Sequence, residues 1–276
     1  MKNIVTTMKK NLGIDVENIH YYDGGVSNEN FIINSKYVYR RKKSFAQPFY
    51  SPECEKEIEE FLKDKNITVP LVSIFDDGTK ITEFVKDARD LSHIEITDEL
   101  LIKIATKIKE LHSYSFKASK DFDPLERINY YMESNQSPKR DIHEYIISKI
   151  LKYYNNTPLC MCHNDLVPGN ILVTKNGDIK IIDFEYASNN HPFFDVISFL
   201  SENDITDERQ IKLFISTYYE NNLPNNIEEM TTDFYNFLDL LWYNWSVMMY
   251  MNLHEPIYHK IAKIKALRLT KIDISK

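Results

Sequence analysis

Three polar side chains in the second half of the sequence have the types and spacing that phosphoryl transfer requires. Asp165 and Asn170 lie in the segment HNDLVPGN, and Asp183 follows Asn170 by thirteen residues in the segment IIDFE. Transfer of a phosphoryl group to a hydroxyl needs a carboxylate that accepts or orients the hydroxyl proton, and oxygen ligands for magnesium. We therefore predict that Asp165 is the catalytic base and that Asn170 and Asp183 bind Mg²⁺.

A His-x-Asp pair alone is weak evidence, because such pairs are common in loops. Here His163 and Asp165 precede two short β stretches, residues 171–173 and 179–182, with an Asn-Gly turn between them that favours a hairpin. We predict that His163 orients the loop through hydrogen bonds. A binding module without catalysis is the non-enzymatic alternative, and it is disfavoured because all three catalytic positions are filled.

The first hairpin offers a candidate phosphate-binding loop. Residues 24–28 read GGVSN, and two adjacent glycines let backbone N–H groups approach a phosphate. We predict that Ser27 and Asn28 contribute to nucleotide binding. An ordinary Gly-Gly turn explains the same residues equally well.

The strand after this hairpin ends in four consecutive basic residues, RRKK. A cation here reaches the α- and β-phosphates in protein kinases. We predict that Arg40 has this role, with Arg41 as the alternative, and that Lys42 belongs to a solvated turn. The carboxylate that pairs with the cation should come from the next helix, where we favour Glu57 among Glu53, Glu55, Glu57, Glu59 and Glu60.

The segment ITEFV, residues 81–85, lies where the two halves of the chain should meet. We predict that it is the hinge and that Glu83 and Val85 contact the adenine. A buried strand without a ligand is the alternative.

These groups must be positioned by two differently built parts of the chain. Residues 19–42 alternate strand and turn signals, which predicts an antiparallel meander, and a hairpin follows over residues 69–85. Apolar residues then recur at helical spacing. We predict an α+β fold with an N-terminal ATP-binding lobe, residues 1–85, and a C-terminal, mainly helical lobe, residues 86–276, that carries the catalytic and substrate sites. The predicted helices are 4–12, 53–64, 98–113, 141–154, 192–202, 207–221, 227–253 and 255–270.

The composition narrows the possible partners and compartment. The 276 residues carry a formal net charge of −7, which argues against a nucleic-acid partner, and the three cysteines read as reduced thiols. The most apolar run, residues 237–251, is shorter than a membrane span of about 20 residues. We therefore expect a cytoplasmic protein without a membrane partner, and the sequence does not determine its oligomeric state.

Several segments together resemble the choline/ethanolamine kinases, and the bacterial choline kinases most closely. The catalytic motifs are HNDLVPGN, IIDFEYA and FFDV, the hinge is ITEFVKDARDL, the first hairpin is GGVSNENFII, and a late helix reads LWYNWSVMMY. The resemblance extends over residues 24–250. It implies a protein-kinase-like two-lobed fold, shared with aminoglycoside phosphotransferases, and phosphorylation of choline with ATP and Mg²⁺. A kinase for ethanolamine, thiamine or an aminoglycoside is the alternative.

The late helix carries the two tryptophans of the chain, Trp242 and Trp245, three residues apart on one face. From the residues alone, they read either as part of a core stripe or as aromatic faces for a cation, which suits a quaternary ammonium that has no N–H donor. The resemblance favours the second interpretation. It also implies substrate contacts from Glu185, Tyr186 and Glu202, and a role for Asp195 in bracing the catalytic loop.

Overall fold

The structure is a computed structural model that describes residues 2–22, 28–43, 48–138 and 140–273. Ser27 and the glycines of the predicted phosphate loop lie outside the described residues. Where the chain is described, the architecture is an antiparallel sheet followed by a larger, mainly helical part.

The N-terminal sheet has five antiparallel strands in the order β1-β2-β3-β5-β4, which confirms the predicted meander. The elements of this part are α1 (Lys2–Leu12), β1 (Ile19–Tyr22), β2 (Asn28–Ile33), β3 (Tyr37–Lys42), α2 (Pro52–Leu62), β4 (Leu71–Ile74) and β5 (Lys80–Glu83).

The two faces of this sheet have different partners because strand side chains alternate. One face packs with α1 in a small core that includes Ile4, Phe31, Tyr39 and Ile81. The other face lines the central cavity with Asn28, Asn30, Ile32, Val38, Arg40, Lys80 and Thr82. Arg40 therefore points toward the helical part of the molecule.

Helix α2 begins at a well-formed cap and buries an unusual stripe. The Ser51 side chain accepts a hydrogen bond from the Cys54 N–H at 3.2 Å, and Pro52 occupies the first turn, where its missing N–H has no cost. The buried stripe combines apolar residues with two acids, Glu55 and Glu59, which are four residues apart and so share a face.

The helical part encloses the main core of the protein. Its elements are β6 (Arg89–Asp90), α3 (Asp98–Ser113), α4 (Pro124–Ser134), α5 (Asp141–Asn156), β7 (Cys160–Cys162), β8 (Ile171–Val173), β9 (Ile179–Ile181), β10 (Ser188–Asn190), α6 (Pro192–Glu202), α7 (Glu208–Tyr218), α8 (Ile227–Leu253) and α9 (Pro256–Leu269). Two short antiparallel sheets, β10-β7 and β6-β8-β9, hold the loops that carry the catalytic motifs.

The predicted helices are present, and α3, α6 and α8 have the predicted bounds. Helix α4 was not predicted from the sequence, although it begins with a clear signal. The Asp123 carboxylate caps it by accepting from the N–H groups of Leu125 and Glu126, and Pro124 lies in the first turn.

None of the helices in the described ranges combines the length and hydropathy that a bilayer span requires.

Candidate active site

The buried carboxylate of Asp195 holds the backbone of the loop that follows β7. Asp195, on α6, accepts hydrogen bonds from the backbone N–H of His163 at 2.7 Å and of Asn164 at 2.8 Å. Asn164 has a φ of 66°, a left-handed conformation that asparagine tolerates better than most residues. These contacts turn the chain sharply just before Asp165.

The hydrogen bonds of the His163 ring determine its tautomer. Nδ1 accepts from the Asp165 N–H at 3.3 Å, so Nε2 carries the proton and donates to the Ile182 carbonyl at 2.9 Å. Burial lowers the pKa of His163, which keeps the ring neutral. His163 thus connects the catalytic loop to the residue after β9 and positions the backbone of Asp165.

Asp165 and Asn170 form a contact across the catalytic loop. Asn170 Nδ2 donates to Asp165 Oδ2 at 3.0 Å and to the Asp165 backbone oxygen at 2.9 Å. Burial and then three neighbouring acids raise the pKa of Asp165 well above its usual range, and the hydrogen bond from Asn170 opposes them; these acids are Glu185, Asp183 and Glu202. A raised pKa makes this carboxylate a stronger proton acceptor than an ordinary aspartate.

Asp183 also has a left-handed backbone, with φ of 68°, directly after β9. Its carboxylate accepts a charged hydrogen bond from Arg40 and a weaker one from Asn28 Nδ2 at 3.2 Å. Because Nδ2 of Asn170 is directed to Asp165, its amide oxygen remains as a ligand atom. A carboxylate and an amide oxygen suit the preference of Mg²⁺ for oxygen.

The carboxylate that pairs with Arg40 is Glu55, and the prediction of Glu57 is wrong. Glu55 accepts from Arg40 Nη2 inside the buried stripe of α2, whereas Glu57 accepts from the backbone N–H of Ser119. Two residues advance a helix by about 200°, so Glu57 faces away from the sheet. Burial raises the pKa of Glu55, but Arg40 and Lys80 overcome it and lower the value to about 2.

The choice between the two arginines is decided by strand alternation. Arg41 points to the opposite face and donates to Glu29 at 2.6 Å, leaving Arg40 in the cleft. Lys42 returns to the cleft face and forms an ion pair with the buried Glu185. The prediction that Lys42 is solvated is therefore wrong.

Glu185 lies on the sheet side of the cleft. Asn28 Nδ2 donates to its Oε2 at 3.0 Å, and Lys42 pairs with the same oxygen. Burial and the charge of Asp183 raise the pKa of Glu185, while Lys42 and Arg40 oppose them. The hydrogen bonds of this carboxylate are thus with side chains of strands β2 and β3.

One cavity of about 1040 Å³ joins these groups. Glu83 and Val85 of the predicted hinge line it, and the Glu83 N–H already donates to Pro70 O at 2.9 Å. The predicted residues that line this cavity are Asn28, Arg40, Glu83, Val85, Asp165, Asn170, Asp183, Glu185, Tyr186, Glu202, Trp242 and Trp245.

The two tryptophans line the same cavity and form an edge-to-face pair. Their ring centroids are 5.7 Å apart at 80°, and Trp245 makes a similar contact with Tyr258 at 5.5 Å. Leu238 and Met249, which continue the same helical stripe, are fully buried, whereas both tryptophans are only half-buried. The ends of the stripe are core, and its middle faces the cavity.

Glu202 lines this cavity and forms an ion pair with Lys265. Its Oε1 accepts from Lys265 Nζ on α9 at 3.0 Å, and Lys265 also lies 3.4 Å from Asp239. The lysine therefore offsets part of the negative charge near the tryptophans.

Sequence reasoning missed Glu55, Lys42 and a second buried pair, Lys80 with Glu59. Lys80 is the cross-strand neighbour of Arg40, and its Nζ lies 3.3 Å from Glu55 Oε1. The spacing of Glu55 and Glu59 on the apolar face of α2 is the signal that could have found both acids.

The fold is protein-kinase-like. A five-stranded antiparallel sheet packs over a helical part, and the cleft between them contains Asp165, Asn170 and Asp183. The solved structure of choline kinase LicA from Streptococcus pneumoniae has this fold, with a TM-score of 0.81 and 22% identity over 98% of this chain and 99% of that one. At 22% sequence identity, this similarity is evidence for the fold alone.

The chain belongs to the choline/ethanolamine kinase family, whose sequence profile matches residues 19–256. Protein LicA of Haemophilus influenzae is 24% identical over 199 residues, which are 67% of this chain and 58% of that protein. The ethanolamine kinase of Saccharomyces cerevisiae is 27% identical over 224 residues, 74% of this chain and 40% of that protein. The match thus spans less than two thirds of the length of either relative.

Proposed function

We propose that this protein phosphorylates the hydroxyl group of choline with ATP, giving phosphocholine and ADP. The observation that carries the proposal is the single cavity that joins Asp165, Asn170 and Asp183 to the paired rings of Trp242 and Trp245. A small molecule with a hydroxyl at one end and a cation at the other fits this arrangement.

The nucleotide would lie between the sheet and the catalytic loop. Arg40, held by Glu55, would steady the phosphates, and Glu83 and Val85 would contact the adenine. Asn28, with a buried Oδ1 that lacks a partner among the described residues, belongs to the same side. Magnesium, held by Asn170 and Asp183, would neutralise charge on the phosphates.

Asp165 would orient the choline hydroxyl and accept its proton. The hydrogen bond from Asn170 fixes the position of the carboxylate, and the raised pKa that follows from burial makes it a better proton acceptor. Asp195 holds the backbone just before this group, and His163 accepts from the Asp165 N–H and links the loop to Ile182; both would position Asp165 without taking its proton.

The cation end of the cavity favours choline over ethanolamine. A quaternary ammonium binds to aromatic faces, whereas a primary ammonium needs hydrogen-bond acceptors. Trp242 and Trp245 supply the faces, but Glu202, the nearby acid we assign to substrate binding, already accepts from Lys265. Tyr186 completes the lining on the catalytic-loop side.

Steady-state kinetics with ATP, Mg²⁺ and a panel of choline, ethanolamine, thiamine and an aminoglycoside tests this proposal. We expect choline to have the highest kcat/KM. A higher kcat/KM for ethanolamine would mean that ethanolamine, and not choline, is the preferred substrate. No turnover of any alcohol would contradict kinase activity. The cytoplasm, which supplies ATP and keeps the cysteines reduced, is the compartment we propose for this reaction.

A further inference from the structure

Two cysteines and a histidine meet next to Asp195, and none of the three is among the residues that line the cleft cavity. Cys160 and Cys162 are two residues apart on β7 and so lie on the same face of the strand. Their Sγ atoms are 3.7 Å apart, and neither forms a disulfide. His112, near the end of α3, brings a ring nitrogen within 4.8 Å of both sulfurs.

The spacing of the two sulfurs matches that of two ligands on one tetrahedral metal. Two thiolates bound to zinc at about 2.3 Å each, at the tetrahedral angle, lie about 3.8 Å apart. The observed separation of 3.7 Å therefore needs almost no rearrangement of β7. A disulfide would require the sulfurs to approach to about 2.05 Å, so metal binding fits this geometry better than oxidation.

The ring of His112 is already oriented in the way that metal-binding histidines are. Nε2 lies 3.1 Å from Asp195 Oδ2, and Nδ1 lies 2.9 Å from the Tyr218 hydroxyl, which also interacts electrostatically with both cysteines. Histidines that bind metal usually donate their other N–H to a carboxylate. Coordination through Nδ1 would keep the Nε2–H bond to Asp195 and would displace only the contact with Tyr218.

We propose that Cys160, Cys162 and His112 form a binding site for a thiophilic divalent cation of the zinc class. On binding, both thiols would release their protons to solvent, and the two thiolates would balance the charge of the cation. A neutral centre of this kind suits the surroundings, since Cys162 is buried and the His112 side chain is 3% exposed. Cys160 is only partly buried, which gives the ion a route in.

This site is separate in chemistry and position from the predicted magnesium ligands. Thiolate and imidazole select soft metals, whereas Asn170 and Asp183 offer oxygen. The two are nevertheless connected, because the Asp195 carboxylate that accepts from His112 also holds the backbone of His163 and Asn164. A bound metal would fix the His112 ring and, through Asp195, support the catalytic loop.

Titration of the metal-free protein with Cd²⁺ in the presence of excess Mg²⁺ tests the site. Thiolate ligands give a ligand-to-metal absorption band in the ultraviolet that carboxylate ligands do not. We expect this band to saturate at one Cd²⁺ per chain, and Zn²⁺ to abolish it by competition. Bound Zn²⁺ should also raise the melting temperature, because a ligand that binds only the folded state stabilises it.

Cys160→Ser is the informative variant, and Cys54→Ser is its matched control, since Cys54 is a buried thiol outside this cluster. The control should keep the band and the melting shift, and Cys160→Ser should lose both while retaining kinase activity without added zinc. His112→Asn removes a ligand and should weaken binding by more than about tenfold, which is the loss expected when only a hydrogen-bond partner of a ligand is removed. Equal bands in Cys160→Ser and wild type, or no band in wild type at stoichiometric Cd²⁺, would overturn the proposal.

Discussion

Asn170 donates its side-chain amide to the carboxylate of Asp165 at 3.0 Å. The contact joins the proposed base to a proposed magnesium ligand, and it orients the amide oxygen of Asn170 away from Asp165. A change at either position is therefore expected to disturb both the proton acceptor and the arrangement of the phosphates.

Replacement of Asp165 by asparagine is expected to lower kcat by about 10²-fold or more, the scale of lost general-base catalysis. Asparagine keeps the size of the side chain and can still contact Asn170, but it cannot accept the hydroxyl proton. Nucleotide affinity, measured by calorimetry, should survive. Near-normal turnover by this variant would remove Asp165 from the role of base.

Activity is expected to require Mg²⁺ or Mn²⁺ and to disappear in excess EDTA, because the proposed ligands Asn170 and Asp183 offer oxygen atoms, which hard cations prefer. Asp183→Ala should have no measurable turnover while it keeps the circular dichroism spectrum of the wild type. An enzyme that stays fully active in EDTA contradicts this prediction. A variant that loses its fold would be replaced by Asp183→Asn, which preserves the shape of the side chain.

Glu55→Gln and Glu57→Gln form a matched pair that tests the buried network of α2. Gln at position 55 leaves Arg40 and Lys80 without a shared carboxylate, and breaking such a pair costs about 3–5 kcal/mol of the free energy of unfolding. It should also raise KM for ATP through the displaced Arg40. Glu57→Gln can still accept from Ser119 and should stay within about 0.5 kcal/mol of wild type. Urea denaturation and ATP kinetics measure both effects, and equal behaviour of the two variants would mean that Glu55 has no special role.

Trp242→Ala and Trp245→Ala are each expected to raise KM for choline severalfold or more, because one cation–π contact is worth about 0.5–2 kcal/mol. KM for ATP should change little, since we propose that the nucleotide binds between the sheet and the catalytic loop. Phenylalanine at either position should be milder because it keeps an aromatic face. Equal losses for choline and ATP, together with a lower melting temperature, would show that the tryptophans serve the core.

The stability of the protein should fall on mild acidification through His191. Burial and then the charge of His112 lower the pKa of His191 to about 4, from an ordinary 6.5. Its Nδ1 accepts from the Phe193 N–H at 3.2 Å as the cap of α6, which requires the unprotonated ring. Since the unfolded chain binds more protons between these two values, the free energy of unfolding decreases as the pH falls from 6.5 toward 4.

His191→Asn is the control, because asparagine caps a helix and does not titrate. In the wild type, titration of His191 should make the free energy of unfolding about 2 kcal/mol lower at pH 5 than at pH 7. The difference in stability between variant and wild type should therefore shift by that amount between the two pH values. Parallel pH profiles from urea denaturation would show that His191 does not titrate with a lowered pKa.

The features predicted well from the sequence are those that depend on neighbours along the chain. Helices α3, α6 and α8 follow from apolar spacing, and the meander follows from strands separated by turn residues. That Asp165, Asn170 and Asp183 line one cavity also follows from the sequence, because a short loop and one hairpin separate them along the chain. Each of these signals lies within a few tens of residues.

The tertiary structure decided which side chains meet across distant segments. Packing of α2 against the sheet selected Glu55 over Glu57, and strand alternation directed Arg40 and Lys42, but not Arg41, into the cleft. The sequence by itself left the tryptophans open between core and cavity, because a helical stripe has the same pattern in both cases. Their exposure to the cavity depends on the helices around α8, and pairings of this kind are determined by packing that local spacing does not encode.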